Sequence, residues 1–139
     1  MQVQPYLFFN GRCEEAMDFY VQSLGAEVTM KMRYADNPEP QPPGMLPEGF
    51  AHKIMHATLR LGETSLMMSD GNTTTPARFQ GFSLSLGVSD AAQAEQFFAA
   101  LSQGGKVNMP LSSTFFASRF GMVEDRFGVG WMVIAPPAP

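Results

Sequence analysis

The sequence has little of what disulfide frameworks, cysteine zinc sites and nucleic-acid surfaces require. Cys13 is the only cysteine among 139 residues, so neither an intramolecular disulfide nor a zinc site built from several thiolates can form. The nine Lys and Arg residues are outnumbered by thirteen Asp and Glu residues, and they are scattered along the chain. Because phosphate binding needs clustered cations, we expect no nucleic-acid partner.

Long apolar runs are also missing, although apolar residues are common. No stretch approaches the ~18 consecutive apolar residues of a membrane-spanning helix. The first residues have neither the basic nor the apolar region of a signal peptide. Apolar residues make up 45% of the sequence and charged residues 16%, which is ample material for a folded core. We therefore predict a soluble, cytoplasmic protein with no membrane partner.

The first half of the chain alternates between strand-like and helix-like patterns. The pattern predicts a strand at 3–9, a helix at 13–24, and strands at 28–34, 52–61 and 64–70. Residues 37–49 contain five prolines and two glycines, which excludes regular structure. We interpret this segment as an exposed loop and call it the flap.

The second half repeats this plan after a polar connection at 71–77. It predicts a strand at 82–88, a helix that begins at Ser89 or Asp90 and ends at Gly104-Gly105, and strands at 106–109, 115–125 and 129–134. The helix positions Ala16, Phe19 and Tyr20 recur as apolar residues 78 positions later, and Gly25 recurs 79 positions later. The repeat indicates a duplicated unit. We predict one α+β domain over 1–139, with module 1 at about 1–70 and module 2 at about 80–136.

Eight short segments resemble segments of PhnB-like proteins. They lie at 5–11, 15–16, 19–20, 24–27, 56–57, 66–70, 81–82 and 125–132, and the last, Asp-Arg-Phe-Gly-Val-Gly-Trp-Met, is quite specific. PhnB-like proteins belong to the vicinal oxygen chelate superfamily, with glyoxalase I, bleomycin-resistance proteins and extradiol dioxygenases. The resemblance implies two β-α-β-β-β modules, curved mixed sheets that form a cup, and usually a homodimer. It also implies a common label, 3-demethylubiquinone-9 3-methyltransferase.

The methyltransferase label does not fit the residues. A methyltransferase of the usual class holds adenosylmethionine at a glycine-rich turn after the first strand of a parallel sheet. Here that turn is Asn10-Gly11-Arg12-Cys13, and no Gly-x-Gly pattern opens either helix. The predicted strands are mostly joined as hairpins, which leaves little room for a parallel sheet. We therefore predict no activity of this kind.

Metal-using members of the superfamily carry one ligand on the first strand and one on the last strand of each half. Counting back from the helix repeat places these positions at Pro5 and Ser83 on the first strands, and near Met67 and Met132 on the last strands. None of these four side chains suits a hard divalent ion. We predict no metal site of the superfamily type and no cofactor.

Strand alternation separates side chains that face the cup from those that face a helix. His56, Thr58 and Arg60 alternate with apolar residues, so the polar set is predicted to face the cup. The predicted cup-lining, ligand-binding residues are His56, Thr58, Arg60, Met67, Ser83, Ser85 and Met132. This mixture of hydroxyl, imidazole, guanidinium and thioether groups suits a small polar organic molecule.

Two of these residues allow two interpretations each. His56 is the candidate for proton transfer, because an imidazole can take up and release a proton near neutral pH; it is otherwise a structural histidine. Arg60 pairs either with an anionic ligand or, in a salt bridge, with Glu63 or Asp70.

The predicted function is binding of a small molecule by a PhnB-like protein, without the superfamily metal and with no evident enzymatic activity. The alternative is a metal-dependent lyase, isomerase or dioxygenase whose ligands occupy unusual positions such as His52, His56 or Asp70.

The last third of the sequence has more aromatic residues than one small core obviously needs. They are Phe115, Phe116, Phe120, Phe127 and Trp131. Together with the flap, they predict a two-fold symmetric homodimer, and the alternative is a monomer whose aromatic residues fill its own core.

Overall fold

The computed structural model describes residues 1–39 and 41–138, and the chain divides into two compact units. The first unit is Met1–Ala77 and the second begins at Arg78. The division falls at the end of the polar connection 71–77. Within the described residues, no helix is long and apolar enough to cross a membrane.

The first unit contains one helix and one four-stranded mixed sheet. Its elements are β1 (Tyr6–Phe8), α1 (Cys13–Leu24), β2 (Glu27–Arg33), β3 (Ile54–Leu61) and β4 (Thr64–Ser69). The strand order is β1-β4-β3-β2; β1 runs parallel to β4 and the other neighbours are antiparallel. Short 3₁₀ helices at Tyr34–Asp36 and Phe50–His52 flank the flap.

The second unit has the same topology. Its elements are β5 (Leu84–Gly87), α2 (Ala91–Leu101), β6 (Lys106–Thr114), β7 (Ala117–Glu124) and β8 (Gly130–Ala135). The strand order is β5-β8-β7-β6, again with one parallel pair at the first strand. The predicted α+β class and the two β-α-β-β-β modules with mixed sheets are confirmed.

Helix α1 begins and ends where the sequence pattern places it. The Gly25 backbone adopts φ 68°, a left-handed conformation that residues with a side chain rarely adopt. Gly25 N donates a hydrogen bond to the carbonyl of Val21, and Ala26 N donates one to the carbonyl of Tyr20. Helix α2 is capped by Asp90, whose carboxylate accepts a hydrogen bond from Gln93 N at 2.8 Å. Of the two predicted caps, Asp90 is the one that bonds the helix backbone.

Several strand boundaries differ from the prediction. The first strands of both units are shorter than predicted, and His52 lies in a 3₁₀ helix before β3. Strand β6 continues through Pro110 to Thr114, because β6 is an edge strand whose irregular register tolerates a residue without N–H. Phe115 and Phe116 consequently form the β6–β7 turn and do not begin a strand.

Each sheet buries the face on which its helix packs. In the first unit the buried positions of α1 include Ala16, Met17 and Tyr20, and those of the sheet include Leu59 and Met68. In the second unit the buried residues include Ala94, Phe98, Val123, Trp131 and Val133. The opposite face of the first sheet, here called the helix-distal face, carries polar and half-exposed side chains.

Candidate functional site

The register of the first sheet places four predicted site residues on the helix-distal face. His56, Thr58 and Arg60 alternate with the buried Ala57 and Leu59. Met67 on β4 lies opposite Thr58 in the antiparallel ladder. The strand alternation expected from the sequence is therefore present, and these four side chains share one surface.

A tyrosine that the sequence analysis did not select completes this surface. Tyr6 on β1 pairs with Met67, and Tyr6 Oη lies 2.8 Å from His56 Nδ1. The other ring nitrogen, His56 Nε2, lies 3.1 Å from Thr58 Oγ1. Both imidazole nitrogens are thus engaged, and Tyr6 of β1 forms one hydrogen-bonded series with His56 and Thr58 of β3.

The structure corrects the predicted first-strand positions by one residue in the first unit, from Pro5 to Tyr6, and by two in the second, from Ser83 to Ser85. Met67 lies beside Tyr6 and Met132 lies beside Ser85, whereas Pro5 and Ser83 both precede their strands. The strand-to-helix connection covers residues 9–12 in the first unit and only 88–90 in the second. Because the second connection is one residue shorter, the strands repeat at 79 positions while the helices repeat at 78.

The corrected positions do not fit a divalent metal either. Tyr6 offers a phenol that is already bonded to His56, Ser85 offers a neutral hydroxyl, and the two methionines offer thioethers. Hard divalent ions prefer carboxylate or imidazole ligands at such positions. Within residues 1–39 and 41–138, no group of three or more His, Cys, Asp or Glu residues could hold a metal ion.

A cavity of about 340 Å³ lies within the first unit, against Tyr6. Its walls come from β1, the β3–β4 ladder, the first 3₁₀ helix, the flap and the turn after β4. The lining residues are Tyr6, Phe8, Tyr34, Gln41, Met45, Leu46, Met55, Ser69, Gly71 and Asn72. The flap and strand β1, which carries Tyr6, thus line the same cavity. No periodicity in the sequence marks the flap residues that do so.

A bulge in β3 explains how Met55 lines this cavity. Arg33 pairs with Ile54 while the preceding Met32 pairs with His56, so β3 contains one extra residue at Met55. Such a bulge interrupts the strict alternation of faces. Prediction by alternation alone therefore leaves Met55 out of the site.

The two tyrosines beside the cavity are held in their neutral form. Burial raises the pKa of the Tyr6 phenol, and burial also raises the pKa of Tyr34 more than its hydrogen bond to Ser69 lowers it. Tyr34 Oη donates to the carbonyl of Gly71 at 2.5 Å, and Gly71 N donates to Ser69 Oγ at 2.9 Å. These hydroxyls are uncharged hydrogen-bonding groups at neutral pH.

Two roles that the sequence analysis considered are wrong: a salt bridge of Arg60 with Glu63 or Asp70, and metal binding by Asp70. Arg60 pairs with Glu27, its cross-strand neighbour on β2, and not with Glu63 or Asp70. Asp70 is buried, and its carboxylate accepts hydrogen bonds from the backbone N–H groups of Gly11, Cys13 and Ile54 at 2.7–2.8 Å. A carboxylate committed to three backbone donors has a structural role.

The remaining predicted site residues lie in the second unit. Ser83 and Ser85 are exposed, and Met132 is half-buried opposite Ser85 and Met122. Asp125 accepts bonds from the N–H groups of Phe127 and Val129 and from Trp131 Nε1. Asp125 therefore has a structural role at the turn before the last strand.

Comparisons with known proteins show what this chain is similar to. The family model described as 3-demethylubiquinone-9 3-methyltransferase matches residues 1–134. Protein YjdN of Escherichia coli is 36% identical, covering 96% of this chain and 94% of that protein. The crystal structure of protein PA1353 from Pseudomonas aeruginosa is 44% identical with a TM-score of 0.84, covering 98% of each chain.

Structures of two more distantly related proteins show which fold the chain has. The PhnB protein from Bacillus cereus is 28% identical with a TM-score of 0.79, covering 97% of this chain and 99% of that chain. The fosfomycin resistance protein FosX from Listeria monocytogenes, only 8% identical, shares the fold at a TM-score of 0.66 over 99% and 94% of the two chains. The chain therefore belongs to the PhnB-like family that bears the description 3-demethylubiquinone-9 3-methyltransferase, and it has the vicinal oxygen chelate fold.

Proposed function

We propose that this protein binds a small organic molecule with hydrogen-bonding groups on the helix-distal face of its first sheet, without a divalent metal. The observation that carries the proposal is the series Tyr6–His56–Thr58, whose tyrosine also lines the cavity beneath the flap. A partly apolar cavity with a few oriented polar groups is the usual form of a small-molecule site.

The same residues argue against two other activities. The first-strand positions carry a phenol and a hydroxyl group, and the last-strand positions carry thioether groups. These groups are poor ligands for the ions of metal-dependent lyases or dioxygenases. Each sheet contains one parallel pair and otherwise antiparallel strands, whereas an adenosylmethionine site of the usual class needs a mostly parallel sheet. The family description names a methyltransferase, but for this reason we do not include methyl transfer in the proposed function.

The proposal predicts that some small polar or aromatic compounds raise the melting temperature, and that Tyr6→Phe weakens their binding by about tenfold. The variant removes one hydroxyl that orients a ligand, an effect of about 1.4 kcal/mol. A thermal-shift screen followed by isothermal titration measures both effects. A ligand at about 100 times its Kd adds about 2.7 kcal/mol of stability, which a thermal shift detects.

The matched control is Tyr20→Phe, which removes a buried hydroxyl carried by α1, away from the residues that line the cavity. We expect it to bind hits from the screen as the natural chain does. A library without a single stabilising compound would contradict the proposal, as would unchanged affinity in Tyr6→Phe. Stoichiometric zinc, nickel, manganese or iron in protein purified without a histidine tag would contradict its metal-free part.

We also propose a two-fold symmetric homodimer. Phe115 is 97% exposed and Phe116 is 42% exposed, and the Phe116 ring packs edge-to-face on both Phe115 and Phe120. Phe127 and Trp131, which the sequence analysis counted with them, are buried in the second unit and supply no such surface. Exposed aromatic clusters of this kind are typical of protein interfaces.

Sedimentation equilibrium at micromolar concentration tests the assembly. We expect twice the chain mass of 15.2 kDa, and a shift toward the monomer in the Phe115→Ser variant, since that variant removes the most exposed ring. A single species at the mass of one chain would contradict the homodimer.

A further inference from the structure

We propose that the molecule bound in the flap cavity is uncharged and contains a flat aromatic ring. This inference rests on the proposed binding function and adds the chemical class of the ligand. Among the described residues, ten line the cavity, and none of these ten carries a charged side chain. A charged ligand of either sign would lose its hydration there without gaining a countercharge from the lining.

Three of the described residues that line the cavity are aromatic. Tyr6 and Phe8 stand next to each other on the helix-distal face, with ring centroids 5.1 Å apart. Tyr34 contributes a third ring and is held in place through Gly71 and through contact with the buried Phe50. Rings in such a wall favour a flat ligand, because stacking and edge-to-face contacts add to simple burial.

The apolar character comes mainly from the flap. Met45 and Leu46 of the flap and Met55 of the β3 bulge line the cavity. Thioether side chains adapt to irregular apolar shapes and make favourable contacts with aromatic rings. This part of the lining suits the ring itself rather than its polar substituents.

Three charged residues next to lining residues or close to them in the sequence already have hydrogen-bonding partners. Arg33, next to Tyr34, binds Glu14 and the carbonyl of His52, and Lys53 Nζ donates to the carbonyl of Gly11 at 2.7 Å. The Asp70 carboxylate, next to the lining residues Ser69 and Gly71, accepts three backbone N–H bonds. Among the described lining residues, Gln41 and Asn72 offer neutral amide groups that can bond a ligand.

The test uses three probes that share one ring system and differ in charge. They are 2-naphthol, 2-naphthoate and 2-naphthylmethylammonium, titrated at pH 7 into protein with carbon-13-labelled methionine methyl groups. We expect 2-naphthol to shift the methyl signals of Met45 and Met55 saturably, with Met122 of the second unit as an internal reference. We expect the two charged probes to bind these methyl positions at least about tenfold more weakly.

A variant that adds a charge makes the test sharper. Gln41→Arg places a cation in the lining, on an exposed flap position where folding should be insensitive. We expect this variant to raise the affinity for 2-naphthoate relative to 2-naphthol by about tenfold, the size of one charge-assisted hydrogen bond. The matched control is Gln22→Arg at an exposed position of helix α1, which should leave the preference unchanged.

The outcomes separate this inference from the proposed function. Equal or tighter binding of either charged probe at Met45 and Met55 would overturn the uncharged class while leaving small-molecule binding intact. Failure of 2-naphthol to shift either methyl signal, while other compounds stabilise the protein in the thermal screen, would overturn the aromatic class. If no compound binds in either experiment, the inference and the proposed function are both wrong.

Discussion

Asp70→Ala is expected to lower the free energy of unfolding by about 3–5 kcal/mol, the largest single effect that we predict. Oδ1 of this buried carboxylate accepts hydrogen bonds from Gly11 N and Cys13 N, and Oδ2 accepts one from Ile54 N. The alanine variant leaves three backbone donors near the start of α1 and β3 without their acceptor. Such donors lose their hydrogen bonds in the folded state but regain them from water on unfolding.

Urea unfolding of Asp70→Ala and of Asp18→Ala measures this effect. Asp18 lies on the exposed side of α1, so its replacement should change stability by no more than about 0.5 kcal/mol. Ser69 and Gly71 line the cavity on either side of Asp70. We therefore expect Asp70→Ala to lose ligand binding together with stability. A loss of less than about 1 kcal/mol would show that water replaces the carboxylate at little cost.

Gly105→Ala is expected to destabilise the second unit by about 1–3 kcal/mol through steric conflict. A Cβ atom at this position would lie 2.2 Å from the carbonyl oxygen of Glu124 and 3.0 Å from Asp125 Cα. Both contacts are with backbone, which cannot rotate away as a side chain can. The start of β6 must therefore move away from the end of β7.

Gly87→Ala is the matched control, because a Cβ atom there has no neighbour within 4 Å and the backbone is not in the left-handed region. We expect this variant to be as stable as the natural chain or slightly more so, since alanine restricts the unfolded chain. Thermal unfolding of the two variants side by side gives the comparison. Equal melting temperatures would contradict the proposed conflict at Gly105.

Sequence patterns predicted the parts of this structure that depend on local periodicity. Helix α1 has the predicted bounds because its apolar spacing is regular and Gly25 ends it. The polar face of β3 was predicted because the strand alternates strictly from His56 onward. These features depend on residues that are close in the chain, so a single sequence contains them.

The features that were missed depend on register between distant segments. Tyr6 escaped selection because counting back from the helix repeat reached Pro5, and only the pairing of β1 with β4 shows that Tyr6 lies beside Met67. The partner of Arg60 is Glu27, which becomes its neighbour only when β2 and β3 pair in register. The side chains of the flap line a cavity without any periodic signal, because a proline-rich loop has none.

The short edge strand β1 affects how the helix-distal face of the first sheet responds to thermal fluctuation. It is only three residues long, and its pairing joins Tyr6 to Met67, which is 61 positions away in the chain. Short edge strands with distant partners open at lower free energy than central strands such as β3. The amide hydrogens of β1 should therefore exchange with solvent before those of β3. We expect each such opening to separate Tyr6 from His56 while the β3–β4 hairpin stays folded, so that the hydrogen bond between these two residues breaks and re-forms within the native state.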